Sequence, residues 1–261
     1  MSESAEESIM MSPPIYSDEI GRCIKCKRKL RIFPKISGEQ YYIYEPCEEC
    51  FPEERKRVIR EYSTKKRQAQ LAELMKESQL SPIFQKKTFD NFKAETPQQK
   101  NVLEDSRHFA EYFSEYQDKG TWLAFLGNCG TGKGHLASAI VNEVIRLHLK
   151  IALYITFIDV VSKIKRNWDR SEEEINKLRN VDLLVLDEIG VQFDTQAERV
   201  ILHRILGYRY DYLKPTILTS NLNLKQLEQI VGERITDRLH DRERDNKVYL
   251  FTWESHRRKE S

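Results

Sequence analysis

From about residue 120 onward the chain alternates short apolar runs with longer stretches whose apolar positions recur every three or four residues. The runs are WLAFLG (122–127), IALYIT (151–156), DLLVLD (182–187), TILTS (216–220) and VYLFT (248–252). Each is apolar at nearly every position, the pattern of a strand covered on both faces. HLASAIVNEVIRLHL (135–149) has instead the period of an amphipathic helix. Strands alternating with helices predict an α/β fold, a five-stranded parallel sheet with helices on both faces. Upstream, residues 52–79 hold no glycine and no proline after Pro52, which suits a first helical turn. Val58, Ile59, Tyr62, Leu71, Leu74 and Met75 give this stretch a partial apolar stripe, so it reads as a helical connecting arm with a solvated charged face. These patterns divide the chain into a tail (1–20), a small module (21–51), the arm (52–80) and the α/β domain (81–261).

Composition changes this picture only locally. Hydrophobic residues make up 39% of the 261, enough for a core, and the net charge of +2 hides two blocks of opposite sign. Residues 1–20 carry five acids and no base, the composition of a disordered tail, whereas residues 22–35 carry seven Lys or Arg and no acid. No signal-peptide pattern is present, nor an apolar run near the ~18 residues of a membrane span. The expected compartment is therefore the cytoplasm, where cysteines stay reduced.

Four of the five cysteines fall in two C-x-x-C pairs, Cys23 with Cys26 and Cys47 with Cys50. Two such knuckles, each giving two thiolates to one tetrahedral ion, predict a closed structural zinc site. Between them the sequence reads as two short strands about Ser37–Gly38, a ribbon too small to hold itself without metal. A full set of protein ligands leaves no open position, so the zinc is scaffold rather than catalyst. Lys25, Lys27, Arg28, Lys29 and Arg31, with Tyr41, Tyr42 and Tyr44, leave two readings open: a surface for single-stranded nucleic acid, or the solvated rim of a protein-docking knuckle.

The stretch FLGNCGTGKGHLASAI (125–140) sets a glycine loop between a predicted strand and a predicted helix. In that context the backbone from Gly127 through Asn128, Cys129, Gly130, Thr131 and Gly132 wraps phosphates with its N–H groups. The helix beginning near Lys133, Gly134 and His135 turns its positive end towards them. Lys133 is expected to reach the β- and γ-phosphates. Gly134 stands where the usual pattern has a Ser or Thr hydroxyl on the magnesium ion. Fifty-odd residues on, LLVLDEIG puts Asp187 and Glu188 at the carboxyl end of a buried strand, the edge at which such sheets bind ligands. Asp187 is expected to hold Mg²⁺ and Glu188 to activate the attacking water, with Asn221 orienting it. ATP hydrolysis follows more naturally than transfer to a small molecule, because no acceptor-binding segment stands out.

TFDNF (88–92), GNCGTGKGHLA, NVDLLVLDEIGVQ, GERITDRL and the ending FTWESHR, in that order, resemble the bacterial and phage replicative helicase loaders, the DnaC-type AAA+ ATPases related to IstB-like proteins. The likeness runs from about Lys65 to the end. It implies an ATP-dependent loader that places a hexameric replicative helicase on single-stranded DNA and assembles in a spiral; slow, switch-like hydrolysis is the expectation from Gly134. It implies a compact AAA+ core without a large helical lid. Arg238 is implied as the arginine finger of a neighbouring subunit's site, Arg257 as the sensor of the γ-phosphate within its own subunit, and Phe89 and Phe92 as adenine-pocket residues. Loaders of this kind also lack the loop hydroxyl, so water is expected to fill that place on the metal, slowing turnover. In some of them an N-terminal zinc module docks on the helicase. The 25 or so residues between the second and third predicted strands exceed the ~12 a crossover needs. There Lys163, Lys165, Arg166 and Trp168 combine charge with a stacking ring, and the resemblance places a channel for single-stranded DNA here. Two other readings stay open: a transposition helper ATPase with a similar core, and a non-hydrolysing zinc adaptor.

Overall fold

The computed structural model describes residues 16–18, 20–37, 43–190 and 195–255, without the side chain of Trp168. Residues 1–15 and 19 of the acidic tail, with Gly38, Tyr41, Tyr42 and Arg257, therefore lie outside the described residues, whereas Tyr16, which the tail reading counts as disordered, is buried in the small cluster of the first unit. The chain divides into two compact units, residues 1–72 and 73–261.

In the second unit the five apolar runs form β1 (Trp122–Gly127), β2 (Ala152–Thr156), β3 (Leu183–Asp187), β4 (Thr216–Ser220) and β5 (Lys247–Phe251), each within a residue of the sequence reading. They make one sheet in the order β2-β3-β4-β1-β5, and every pairing is parallel. Helices α2 (Pro82–Gln85), α3 (Pro97–Glu111), α4 (Phe113–Lys119), α5 (Lys133–His148), α6 (Phe157–Arg166), α7 (Ser171–Asn180), α8 (Gln196–Asp211), α9 (Leu224–Val231) and α10 (Glu233–Leu239) surround it. After β4 the described residues supply only α9, α10 and β5, with no helical lid.

Side-chain alternation along the strands sorts the core into two layers. Trp122, Ala124, Leu126, Leu153, Ile155, Leu184 and Leu186 face one way, into a cluster with apolar residues of α6 to α10. Leu123, Phe125 and Val185 are equally buried but absent from that cluster, and α5 packs over β2, β3 and β4. Fully burying one such side chain contributes about 1.5–3 kcal/mol, so the middle of a sheet sealed on both faces is kept mostly apolar. Polar residues return at the carboxyl ends. Register puts Thr156 opposite Asp187, Leu126 opposite Ser220 and Gly127 opposite Phe251, so these positions share one edge of the sheet.

The opposite end is tied by a buried cation. Arg209 in α8 has no solvent exposure. Its Nη1 donates to the carbonyls of Leu178 (2.8 Å), Arg179 (3.1 Å) and Val181 (3.0 Å), the otherwise unpaired end of α7. Its Nη2 donates to Pro215 O (2.5 Å) and its Nε to Thr216 Oγ1 (2.9 Å), at the start of β4. Burial draws its pKa down to about 9, still high enough to keep the charge at neutral pH.

The first unit is held by isolated bridges, Ser17 with Cys23, Arg22 with Lys29 and Ile32 with Tyr44, all antiparallel. Phe33 N donates to Ile43 O and Glu45 N to Arg31 O, so the segments flanking residues 38–42 pair as the ribbon reading expects. Helix α1 (Pro52–Glu77) is not merely an arm. Val58 packs into the small cluster containing Cys23, Leu30 and Cys47, and Tyr62 stacks on Phe33 at 4.3 Å while donating to Pro34 O at 2.8 Å.

Replacing Arg209 by Ala strips five hydrogen bonds from buried carbonyl and hydroxyl oxygens. The expected cost is about 3 kcal/mol of unfolding free energy, measured by urea titration of the full chain. A midpoint equal to the parent's would contradict this account of the α7–α8–β4 junction.

Candidate nucleotide site and metal centre

The aligned carboxyl ends open into a cleft of about 430 Å³ whose wall includes Cys129, Gly130, Gly132, Lys133, Gly134, His135, Asp187, Glu188 and Asn221. The structure thus brings the glycine loop, both acids and the polar end of β4 together. Phe92 lines the cleft too. Phe89 does not; it is buried with the Arg107 guanidinium 5.5 Å from its ring centre.

The loop is shaped from two sides. Gly132, at φ +99°, adopts a conformation rare for other residues, and a Cβ there would meet Phe92 at 2.5 Å. Gly130 abuts Ser255, where a Cβ would come within 2.1 Å of Oγ. Asn128 N donates to Phe251 O, and Trp253 Nε1 to Thr131 O at 2.9 Å. The residues after β5 therefore brace the loop, a structural reason for TWES and the loop to occur together. Thr131 turns its hydroxyl inward onto Asn128 O at 2.7 Å. Helix α5 starts directly at Lys133, with its free N–H groups at the cleft.

Lys133 is buried, and its Nζ donates to Gly127 O (2.7 Å) and Asn128 O (2.6 Å). Burial lowers its pKa, while Cys129 and Asp187 pull the other way. An ammonium satisfied only by neutral carbonyls gains more from a phosphate oxygen, so it is set to bind an anion. His135 holds the wall, its Nε2 lying 2.9 Å from Thr88 O and its ring edge-on to Phe92.

Opposite the lysine, Asp187 ends β3 with both carboxylate oxygens occupied. Thr219 Oγ1 donates to Oδ1, which also accepts from Glu188 N at 2.9 Å, and the Tyr154 hydroxyl donates to Oδ2. Glu188 sits at φ +57°, in the left-handed region, a strained setting for a non-glycine residue that turns its carboxylate off the strand. Burial, then the charges of Asp187 and Asp159, raise its pKa, which makes it a better proton acceptor than a free carboxylate. Burial and Asp187 raise the Tyr154 pKa as well, so its phenol stays a donor. A carboxylate, hydroxyls and an anion-binding loop facing one another suit a magnesium–triphosphate complex.

Among the residues in and around this cleft that escaped the sequence reading are Phe84, Lys87, Tyr154 and Thr219. Tyr154 and Thr219 look like strand filler, and only their place beside Asp187 reveals them. Arg238 lies elsewhere, not among the residues of this wall. It is 8% exposed, its Nη2 is 3.1 Å from Asp211 Oδ1, and its guanidinium centre is 4.3 Å from the Tyr210 ring centroid. Lys163, Lys165 and Arg166 end α6, and all three reach protein partners: Lys163 Nζ meets Gln79 Oε1 and Lys165 Nζ meets Glu198 Oε1, each at 2.9 Å, while Arg166 Nε donates to Ser162 O at 3.3 Å. Trp168 opens a 3₁₀ turn before α7.

In the first unit the Cys23, Cys26, Cys47 and Cys50 sulphurs lie within 4.8 Å of one another. A tetrahedral zinc–thiolate centre with bonds near 2.3 Å has S–S edges of about 3.8 Å; Cys26 and Cys47 are 3.7 Å apart. Burial opposes ionisation of Cys23, yet the N–H groups of Cys26 and Lys25 outweigh it and hold the thiol at about 7. Hydrogen bonding to Cys26 and burial push Cys50 up to about 12. Four such sulphurs ionise together only around a cation, and the set fits one. Lys25, Lys27, Arg28, Lys29 and Arg31 are all exposed around it, with Arg28 paired to Glu49 at 2.6 Å.

Comparison with known proteins adds an identity. The family model described as IstB-like ATP binding protein matches residues 48–261. The replicative helicase loader DnaC of Escherichia coli K12 is 39% identical over 184 residues, covering 69% of this chain and 73% of that protein. Among solved structures, the crystal structure of the DnaC helicase loader aligns with a TM-score of 0.59 at 23% identity, over 65% of this chain and 99% of that one. The replication initiator DnaA bound to AMPPCP and single-stranded DNA aligns with a TM-score of 0.57 at 21% identity, over 67% of this chain and 52% of that one. A loop, acids and sheet order of this kind, with sequence likeness across most of the chain, place the protein in the IstB-like ATP-binding family, among the replicative helicase loaders of the DnaC type.

Proposed function

We propose that this protein binds ATP with magnesium in the cleft at Lys133 and uses slow, switch-like hydrolysis to place a replicative helicase on single-stranded DNA in the cytoplasm. The observation that carries the reading is the meeting of Lys133, the amino end of α5, Asp187 and Glu188 in one cleft. Lys133 exchanges its loop carbonyls for β- and γ-phosphate oxygens. The N–H groups of residues 130–135 neutralise the same charge. Asp187 would hold a magnesium ion, which would supply positive charge to offset that of the phosphates. Glu188 accepts a proton from water oriented by Asn221. Phe92 and Phe89 support the adenine side.

Arg238 completes the site of the next protomer in a spiral. Its pairing with Asp211 has to open for that, which makes assembly a condition of fast hydrolysis. Arg257 is assigned as the γ-phosphate sensor. The zinc module, its four cysteines holding Zn²⁺ as a scaffold, docks on the helicase. Lys163, Lys165, Arg166 and Trp168 contact single-stranded DNA, which requires Lys165 to trade Glu198 for phosphate. The aligned DnaA is bound to AMPPCP and single-stranded DNA together, which supports pairing these two kinds of ligand on such a core.

Lys133→Ala is expected to abolish ATP binding. Glu188→Gln is expected to keep binding while lowering phosphate release about 10²-fold or more, as loss of a general base does; unchanged turnover in Glu188→Gln would remove that residue's role. Chelation of zinc, or Cys23→Ser, should release one metal equivalent and abolish helicase capture in a pull-down while leaving ATP binding intact. Capture that survives metal loss would sink the docking assignment. Trp168→Ala with Lys165→Ala should cut affinity for a fluorescent oligonucleotide about tenfold or more and flatten its salt dependence. Equal affinity and equal salt slope would mean DNA runs elsewhere.

A further inference from the structure

Gly134 and Tyr154 belong to one device. Residue 134 is the first after the loop lysine, the position from which a Ser or Thr hydroxyl usually reaches magnesium. A Cβ built there would stand 3.2 Å from the Tyr154 hydroxyl oxygen and 3.5 Å from the Phe84 ring. A threonine hydroxyl is one bond from its own Cβ, so the phenol oxygen lies close to where that hydroxyl would be. Tyr154 sits on β2, whose neighbours Leu153 and Ile155 face the opposite layer, and its residue is 5% exposed. Its backbone N donates to Ser78 O at 2.9 Å, and its ring packs on Phe84 with centroids 5.2 Å apart. The hydroxyl is thereby held at one spot and donates to Asp187 Oδ2.

The other hydroxyls nearby already have acceptors within the protein, and Ser138 lies within hydrogen-bond reach of the Tyr154 oxygen as well. Ser138 donates to Gly134 O at 2.6 Å, Thr131 to Asn128 O, and Thr219 to the other oxygen of Asp187. We propose that the Tyr154 hydroxyl, delivered from β2, takes over the metal-side role of the missing loop hydroxyl, and that residue 134 is glycine to make room for it. This replaces the expectation that water alone fills the place. Tyr154 acts as a positioning residue: it fixes the Asp187 carboxylate and presents remaining lone pairs to the ion or to a water on it. The inference rests on the magnesium–ATP reading of the cleft.

The test measures the affinity of a fluorescent ATP analogue by anisotropy, with Mg²⁺ and with EDTA, and compares the ratio of the two. Tyr154→Phe keeps the ring and loses the oxygen. Its affinity in EDTA should match the parent's, and the tightening by Mg²⁺ should shrink about tenfold, the scale of one charge-assisted hydrogen bond. Gly134→Thr alone should lose the tightening as well, because its side chain collides with the phenol. Gly134→Thr with Tyr154→Phe moves the hydroxyl to the loop and should restore it. A parent-like ratio in Tyr154→Phe, tighter Mg²⁺-dependent binding in Gly134→Thr alone, or no recovery in the double variant would each overturn the proposal. Parent protein that binds no nucleotide in either buffer would instead overturn the ATP reading beneath it.

Discussion

The parallel register of β2, β3, β4 and β1 is the constraint on which the rest of the molecule depends. Because every pairing is parallel, all carboxyl ends lie on one edge, and each apolar strand hands its chain to polar residues at the same level. Asp187 opposes Thr156, and the loop from Gly127 departs one place beyond the Leu126–Ser220 pair. A slip of one residue in β3 would turn its apolar side chains to the wrong layers and carry Asp187 off the edge. The core and the cleft are therefore specified by the same hydrogen bonds. Arg209 pins the other end, so that α8 and β4 cannot slide relative to α7.

Within the cleft the electrostatics are poised rather than satisfied. Lys133 is buried against neutral carbonyls, and Asp187 and Glu188 crowd one another, raising the Glu188 pKa. A triphosphate with its metal would relieve both, the anion at the lysine and helix N–H groups and the cation on the Asp187 side. The four-cysteine centre follows the same logic on a smaller scale. Thiolates gathered within 4.8 Å repel until an ion joins them. In both places the binding energy of a charged ligand offsets a cost already built into the fold.

Much of this was legible in the sequence because it depends on local pattern. Doubly covered strands are written as unbroken apolar runs, so all five were found to within a residue, and the loop, the Asp187–Glu188 pair and the cysteine knuckles announce themselves by spacing. What stayed hidden depends on pairing across elements. Tyr154 reads as one more apolar position in IALYIT, and its value comes from facing both Gly134 on α5 and Asp187 on the neighbouring strand. A glycine where a hydroxyl is expected was the one available signal, and the sequence alone led from it only to water. Likewise, nothing local says that Arg238 is paired to Asp211, that Lys165 leans on Glu198, or that Val58 and Tyr62 bind the first turns of α1 to the ribbon. For Trp168 and Arg257, the proposed roles rest on the family resemblance.

The central claim is that metal and triphosphate meet between Lys133 and Asp187. A crystal grown with Mn²⁺ and a non-hydrolysable ATP analogue tests it directly through the anomalous signal of the manganese. The account predicts a single strong peak bonded to β- and γ-phosphate oxygens on the Asp187 side of the cleft, with Lys133 turned away from its loop carbonyls onto the phosphates. Nucleotide seated elsewhere, or bound there with manganese remote from Asp187, would contradict it.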